Sequence, residues 1–158
     1  MKKIVLLVIV ITLLASTGAF AATSGFGIGV EWSAGLLGGL PNSALVTIKA
    51  HQLPFVLGIG AQIGARTFNL GATLDWWLYQ THLIGALDLY VGPGLYLGVG
   101  NGYFALGGRI PVGLQIWPIG KVLELFLEIA PAMEFVGPGQ ISFPNLDLQA
   151  GVGFRFWF

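Results

Sequence analysis

The segment Asn145–Phe158, NLDLQAGVGFRFWF, divides its residues by parity. Leu146, Leu148, Ala150, Val152, Phe154, Phe156 and Phe158 form one set, and Asn145, Asp147, Gln149, Gly151, Gly153, Arg155 and Trp157 the other. A period of two held this long is the pattern of a β-strand with one apolar face; a helix would repeat near 3.6. The run ends on three alternating phenylalanines, although chain ends usually fray into water. An apolar face extended to the last residue implies a solvent other than water.

The same alternation recurs upstream. In Leu123–Phe135 the odd positions carry Leu123, Leu125, Leu127, Ile129, Pro131, Met133 and Phe135, whereas Glu124, Glu128 and Glu134 are even. Eight such segments are predicted, at about 25–34, 43–51, 55–66, 68–79, 85–97, 103–117, 122–136 and 144–158. Their lengths match the roughly 9–11 residues a tilted strand needs to cross a bilayer.

Composition agrees. Charged residues are 9% of the 158, apolar types 55%, and mean hydropathy is +0.82. An ordinary soluble domain carries about 25% charged residues. Gly occurs 25 times, and the absence of cysteine excludes disulfides and thiolate chemistry. The start, MKKIVLLVIVITLLASTGAFA, has Lys2 and Lys3, an apolar core from Ile4 to Leu14 and a small-residue end at Ala19-Phe20-Ala21. This is the pattern of a secretory signal peptide cleaved after Ala21, giving a signal at 1–21 and a mature domain at 22–158. Without the signal, five basic residues face seven acidic ones, a net charge of −2. Nothing in that balance points to nucleic acid.

If lipid is the solvent, helices or a closed barrel must satisfy the backbone. The longest charge-free stretch, Leu89–Gly108, contains seven glycines and Pro93. Glycine costs nearly 1 kcal/mol and proline about 3 kcal/mol per helical position relative to alanine, so a helical span is disfavoured there. Charge placement favours strands. Glu31, Lys49, Arg66, Asp75, Asp88, Arg109, Glu124, Glu128, Glu134, Asp147 and Arg155 all fall opposite the apolar rows, and Lys121 falls in a turn. An Arg or Lys facing lipid near the midplane would cost about 2–4 kcal/mol. The fold expected is therefore all-β: an eight-stranded antiparallel up-and-down transmembrane β-barrel, its last strand closing on its first. The eleven charges form a lumenal network, and Phe154, Phe156 and Phe158 face the membrane interface.

The mature chain resembles small eight-stranded outer-membrane barrels of the OmpA and OmpX kind. More narrowly, GGRIPVGLQIWP, LELFLEIAPAMEFV and GVGFRFWF look like the last three strands of a family of small spirochaetal outer-membrane proteins. The resemblance implies a bacterial outer-membrane location, reached through the secretion apparatus and the barrel-assembly machinery, with outer-membrane lipids as surroundings. It also implies that the terminal aromatic row, Phe154, Phe156 and Phe158, acts as an assembly signal. Unlike many such barrels, this chain has only short expected surface loops, at 35–42, 66–68, 98–102 and 137–143, which argues against loop-based adhesion.

Other motifs have plain readings. Gly100-Asn-Gly102-Tyr-Phe-Ala105 fits a relaxed dinucleotide pattern, but no helix follows, so a hairpin tip is expected. His51 and His82 are expected in or beside periplasmic turns, without further metal ligands at useful spacing. Glu124 and Glu128 lie about 13 Å apart on one strand face, beyond the roughly 5–9.5 Å of glycosidase carboxylates. No catalytic residue, metal or cofactor is expected, and the chain is read as a monomer and not an enzyme. Hairpin counting from a turn near Ile119-Gly120 puts Arg109 beside Glu128 and Ala130, and counting from a loop centred near Gln140 puts Arg155 beside Glu124. The inward glycines, such as Gly27, Gly29, Gly58, Gly60, Gly92, Gly94, Gly151 and Gly153, either relieve crowding or leave a passage. Inward Trp77, Tyr90, Tyr96, Trp117 and Trp157 favour crowding. Three functions follow: a structural envelope barrel with a charged, mostly filled lumen, a narrow porin-like channel, or a surface binding protein.

Overall fold

The computed structural model describes residues 25–37, 42–50, 52–63, 68–137 and 145–158. The expected signal segment, His51 and Arg66 lie outside the described residues, as do parts of the expected loops at 35–42, 66–68 and 137–143. Eleven strand segments follow one another: β1 (Phe26–Gly35), β2 (Asn42–Ala50), β3 (Phe55–Ile63), β4 (Phe68–Trp76), β5 (Tyr79–Ile84), β6 (Leu87–Val91), β7 (Gly94–Gly100), β8 (Tyr103–Arg109), β9 (Val112–Ile119), β10 (Leu123–Val136) and β11 (Asn145–Trp157). The pairs β4–β5, β6–β7 and β8–β9 each make one interrupted crossing, so the chain crosses eight times and is antiparallel throughout.

β11 pairs with both β10 and β1, which closes the sheet into a barrel. The last residue takes part: Phe26 N donates to Phe158 O at 3.1 Å and Phe158 N to Phe26 O at 2.9 Å. One circuit of the register gives the tilt. It runs from Glu134 through Gly107, Tyr96, Thr73, Gly58, Thr47, Gly29 and Arg155 to Glu124, returning to β10 ten residues from its start. With the usual rise and strand spacing this shear tilts the strands by roughly 40°. Hydrogen bonds around a closed barrel leave no edge exposed to hydrocarbon.

Burial is inverted relative to a protein in water. Phe26, Ile28, Val30 and Trp32 of β1 are exposed, as are Leu125, Leu127 and Ile129 of β10 and Val152, Phe154, Phe156 and Phe158 at the chain end. Charged side chains are buried instead. This is a transmembrane β-barrel, apolar outside and polar within.

Three breaks interrupt the middle strands. Proline lacks the N–H a ladder needs, and Pro93 and Pro111 stand at two of the breaks. Their carbonyls still accept: Trp76 N donates to Pro93 O at 2.8 Å and Gly92 N to Pro111 O at 3.3 Å, while Ile110 N at the second of these breaks donates to the carbonyl of Pro131 within β10 at 2.9 Å. The third break, at Trp77-Leu78, is a bulge. From Asp75↔Gly94 to Tyr79↔Val91 one strand advances four residues and its partner three. The extra residue inverts parity, so Asp75 and Trp77 point inward above it and Gln80 and His82 share the face of Tyr90 and Asp88 below it. The inversion explains why the sequence pattern stops near residue 79 whereas the strand continues to Ile84.

Other expectations need correction. His82 is not a turn residue but belongs to β5. The expected loop at 98–102 shrinks to the turn Asn101-Gly102, where Gly102 has a φ of +72°. The β9–β10 turn is centred on Lys121 rather than Ile119-Gly120, since Ile119 pairs with Leu123.

A charge at the middle of the outer surface should be poorly tolerated. Ile59, midway along β3, is 53% exposed. Ile59→Arg should lose about 2–4 kcal/mol in a denaturant titration in lipid vesicles, whereas Ile59→Leu should fold like the parent. Equal stability of Ile59→Arg and Ile59→Leu would mean that this face does not contact hydrocarbon.

Candidate functional site in the barrel lumen

Nine of the charged positions read from the sequence lie inside the barrel. Glu31, Lys49, Asp75, Arg109, Glu124, Glu128, Glu134, Asp147 and Arg155 are each 6% exposed or less. Asp88 stands near the rim: Oδ1 is 2.8 Å from His82 Nδ1, and Oδ2 accepts from Trp117 Nε1 at 3.3 Å. Among the described residues no three metal-ligating side chains come together.

Two arginines organise the interior. Arg155 lies opposite Glu124 in the β10–β11 register, and its Nη1 donates to Glu124 Oε1 at 2.6 Å. Its Nε donates to Thr47 Oγ1 at 3.2 Å, and its guanidinium carbon stands 4.0 Å from the Phe126 ring centre. Trp157 Nε1 donates to Glu124 Oε2 at 2.8 Å, so both carboxylate oxygens are used. Lys49 Nζ lies 4.5 Å from the Trp77 ring centre, a cation–π contact.

Arg109 is opposite Ala132, two residues beyond Ala130, because the β9–β10 turn sits further along the chain than hairpin counting places it. Its side chain nevertheless reaches Glu128, with Nη2 donating to Oε1. Nε donates to Asp75 Oδ1 at 2.9 Å and Nη1 to Gln149 Oε1 at 2.7 Å. Tyr90 OH donates to Glu128 Oε2 at 2.8 Å, and the Tyr90 ring stacks on Trp77 with centroids 4.3 Å apart. Trp77 in turn faces Arg155, so Tyr90 and Trp77 join the two clusters. The geometry follows from charge burial, since an unpaired ion in a low-dielectric interior costs several kcal/mol.

Glycine makes these contacts possible. Gly94 lies between Arg109 and Asp75 in the register, and a Cβ there would strike the Asp75 carboxylate and stand 3.1 Å from Arg109 Cγ. Gly113 lies between Tyr90 and Glu128, and a Cβ there would enter the Tyr90 ring. Gly29 lies between Arg155 and Thr47 and allows the same crossing. In each case a long side chain passes over a glycine on the adjacent strand to a partner one strand further. The rings of Tyr96, Phe126 and Trp157 likewise lie against Gly107, Gly153 and Gly27.

The sequence marked Gly29 and Gly94 as inward but not what crosses them. It gave no signal for Gly113 or for the parts played by Thr47 and Gln149, which depend on register. Some buried atoms lack a hydrogen-bond partner, among them Glu31 Oε1, Gln62 Oε1 and the side-chain amide atoms of Gln115. Asp147 Oδ1 accepts from Leu37 N at 3.0 Å and Leu148 N at 2.7 Å.

The glycine crossings lead to an expected coupling. Gly113→Val should destabilise the barrel by about 1–3 kcal/mol through overpacking, as measured by urea unfolding in detergent. The loss should shrink in a Tyr90→Leu background, because the ring it strikes is gone. Additive losses in the cycle would contradict the crossing.

No protein-family model and no curated protein matches the chain. Among solved structures, the chain is similar to Neisserial surface protein A. The match has a TM-score of 0.50 and 14% identity, and covers 84% of this chain and 94% of the other. At that identity the likeness is one of fold: both are closed eight-stranded barrels.

Proposed function

We propose that the chain is an integral barrel of a bacterial outer membrane, with a structural part in the envelope and a lumen closed to solutes. The observation that carries this reading is the set of side chains packed inside the barrel: Arg155, Tyr90, Gln115, Glu124 and Thr47 are each less than 2% exposed. An eight-stranded barrel encloses little more than its own side chains, and here they are large, with Arg155 bonded to Glu124 and Thr47 and Tyr90 bonded to Glu128. The outer-membrane location draws support from the apolar outer surface, the secretory pattern of residues 1–21 and the fold shared with Neisserial surface protein A. On this reading the chain is a monomer that carries out no catalysis and takes no cofactor or nucleic acid. Its partners are membrane lipids, the secretion apparatus and the barrel-assembly machinery. The resemblance of the last three strands to small spirochaetal barrels is compatible with it.

A second reading, a narrow channel for small solutes, has one observation in its favour. A partly open polar cavity lies beside Arg109, lined in part by Ser33, Ser43, Gln62, Thr73 and Gln149. Planar-bilayer recording of the refolded protein separates the two. The structural reading expects a silent bilayer at protein levels where folding is verified; discrete, reproducible opening steps would replace it with the channel.

The terminal aromatics have an assembly role in this proposal. The Phe158 side chain is 78% exposed and the Phe154 and Phe156 rings meet edge-on at 5.7 Å, so the row is accessible to a machinery that reads a strand end. Deleting Phe158 should lower the amount of barrel in the outer membrane of cells several-fold. Unchanged membrane levels would remove the assembly role.

A further inference from the structure

One backbone edge of the barrel is left over. β11 closes the sheet on β1, yet β5 pairs with β6 alone among the described residues. Its other neighbour turns back too early. Leu53 N donates to Ala50 O at 3.0 Å, which brings β2 round into β3, and Trp77 N donates to Pro54 O at 3.0 Å beside that turn. β5 then runs on from Tyr79 to Ile84. Alternate residues of an antiparallel strand direct their N–H and C=O groups to opposite sides, so this stretch offers a row of donors and acceptors with no described strand beside it. Thr81 is nine residues on from Ala72, the partner of Ile59. At the usual rise and a tilt of roughly 40° that is roughly 20 Å along the membrane normal, beyond half of an apolar band about 25 Å tall.

The edge is anchored and unguarded. β9 holds the far side of β6, from Leu87↔Ile116 to Val91↔Val112, so the hairpin is part of the barrel wall. Exposed edges are commonly blunted by lysine, other charges or proline, but β5 reads YQTHLI and has none of these. Leu83 is 47% exposed and Ile84 75%. Geometry limits what can cover such an edge. Lipid offers no alternating row of donors and acceptors. A second copy inserted the same way up is related by an axis along the membrane normal, so strands tilted by roughly 40° would cross at about 80°. Paired strands differ by only about 20–25°.

We infer that the free edge of β5 is a docking site for an extended peptide segment of a separate protein, which adds to the barrel sheet as one more strand beside the β2–β3 turn. Backbone hydrogen bonds carry the affinity in this mode, and alternate side chains carry the specificity. Tyr79, Thr81 and Ile84 share the outer face with Val91, Leu89 and Leu87, whereas Gln80 and His82 share the other face with Tyr90 and Asp88. The segment that fits is therefore apolar beside Tyr79 and Ile84 and polar beside Gln80 and His82. On the outer-membrane reading this end of the barrel faces the periplasm, and the partner is a periplasmic protein.

A displayed library of random linear peptides, panned on the barrel refolded in lipid nanodiscs, is the probe. The strongest binder, made synthetically, should slow exchange of the β5 amides that point away from β6 by about tenfold or more. Two versions of that peptide, N-methylated at odd or at even residues, should separate: one binds about tenfold weaker or worse, because its amides face β5, and the other binds like the parent. Failure to enrich any peptide overturns the proposal, as does equal binding by the two methylated versions. Protection of every β5 amide in the barrel alone also overturns it, by showing that the chain's own residues cover the edge. None of these outcomes depends on which membrane holds the barrel.

Discussion

A guanidinium inside a narrow barrel cannot be solvated as it would be in water, and it cannot turn outward, where hydrocarbon is worse. It must find carboxylate and hydroxyl oxygens on neighbouring strands. In this chain Arg109 and Arg155 do so in different ways. Arg155 meets Glu124 directly across one ladder, and Arg109 reaches Asp75 two strands away. The second solution works only if the strand between them carries no side chain at the crossing. Gly94 meets that condition. The same geometry repeats at Gly113 beneath Tyr90 and at Gly29 beneath Arg155. Interior electrostatics and glycine content are therefore one constraint seen from two sides.

That constraint bears on stability and order together. Buried ion pairs are weak evidence of net stabilisation, because desolvation offsets much of the attraction. Breaking one is costly, however, since it leaves the partner charged and unpaired. The Arg109 and Arg155 clusters thus penalise any register in which they do not form. A slip of one residue would carry the slipped strand's charges to the lipid face, and a slip of two would keep the faces but move Arg109 and Arg155 out of line with their carboxylate partners. The lumenal pairing and the apolar surface specify the same register for different reasons.

Strand parity was legible in the sequence because lipid outside and a polar lumen inside impose opposite chemistry on alternate residues. Asp147 and Arg155 in the last strand show this, as do Glu124, Glu128 and Glu134 in the one before. Register was legible only where the intervening turn was read correctly. The Arg155–Glu124 pairing follows from counting around the 137–143 region, whereas the count near Ile119-Gly120 misses a turn centred on Lys121 and puts Arg109 opposite Ala130 instead of Ala132. The bulge at Trp77-Leu78 inverts a pattern that otherwise identifies the strand, so β5 and the setting of His82 were hidden. Crossings over glycine involve three strands at once and cannot be read from any one of them.

Both arginines are sealed within bonded clusters. The most direct test is the hydrogen exchange of their side-chain Nε–H groups, followed by NMR on the refolded barrel in lipid nanodiscs. The account requires two Nε–H signals, assigned by Arg109→Lys and Arg155→Lys, that persist in deuterated water far longer than those of a solvated arginine. The Arg155 Nε–H should lose its protection when Thr47 is replaced by Val, and that of Arg109 when Asp75 is replaced by Asn. Exchange of both groups at the rate of free arginine would mean a wet lumen and would contradict the account.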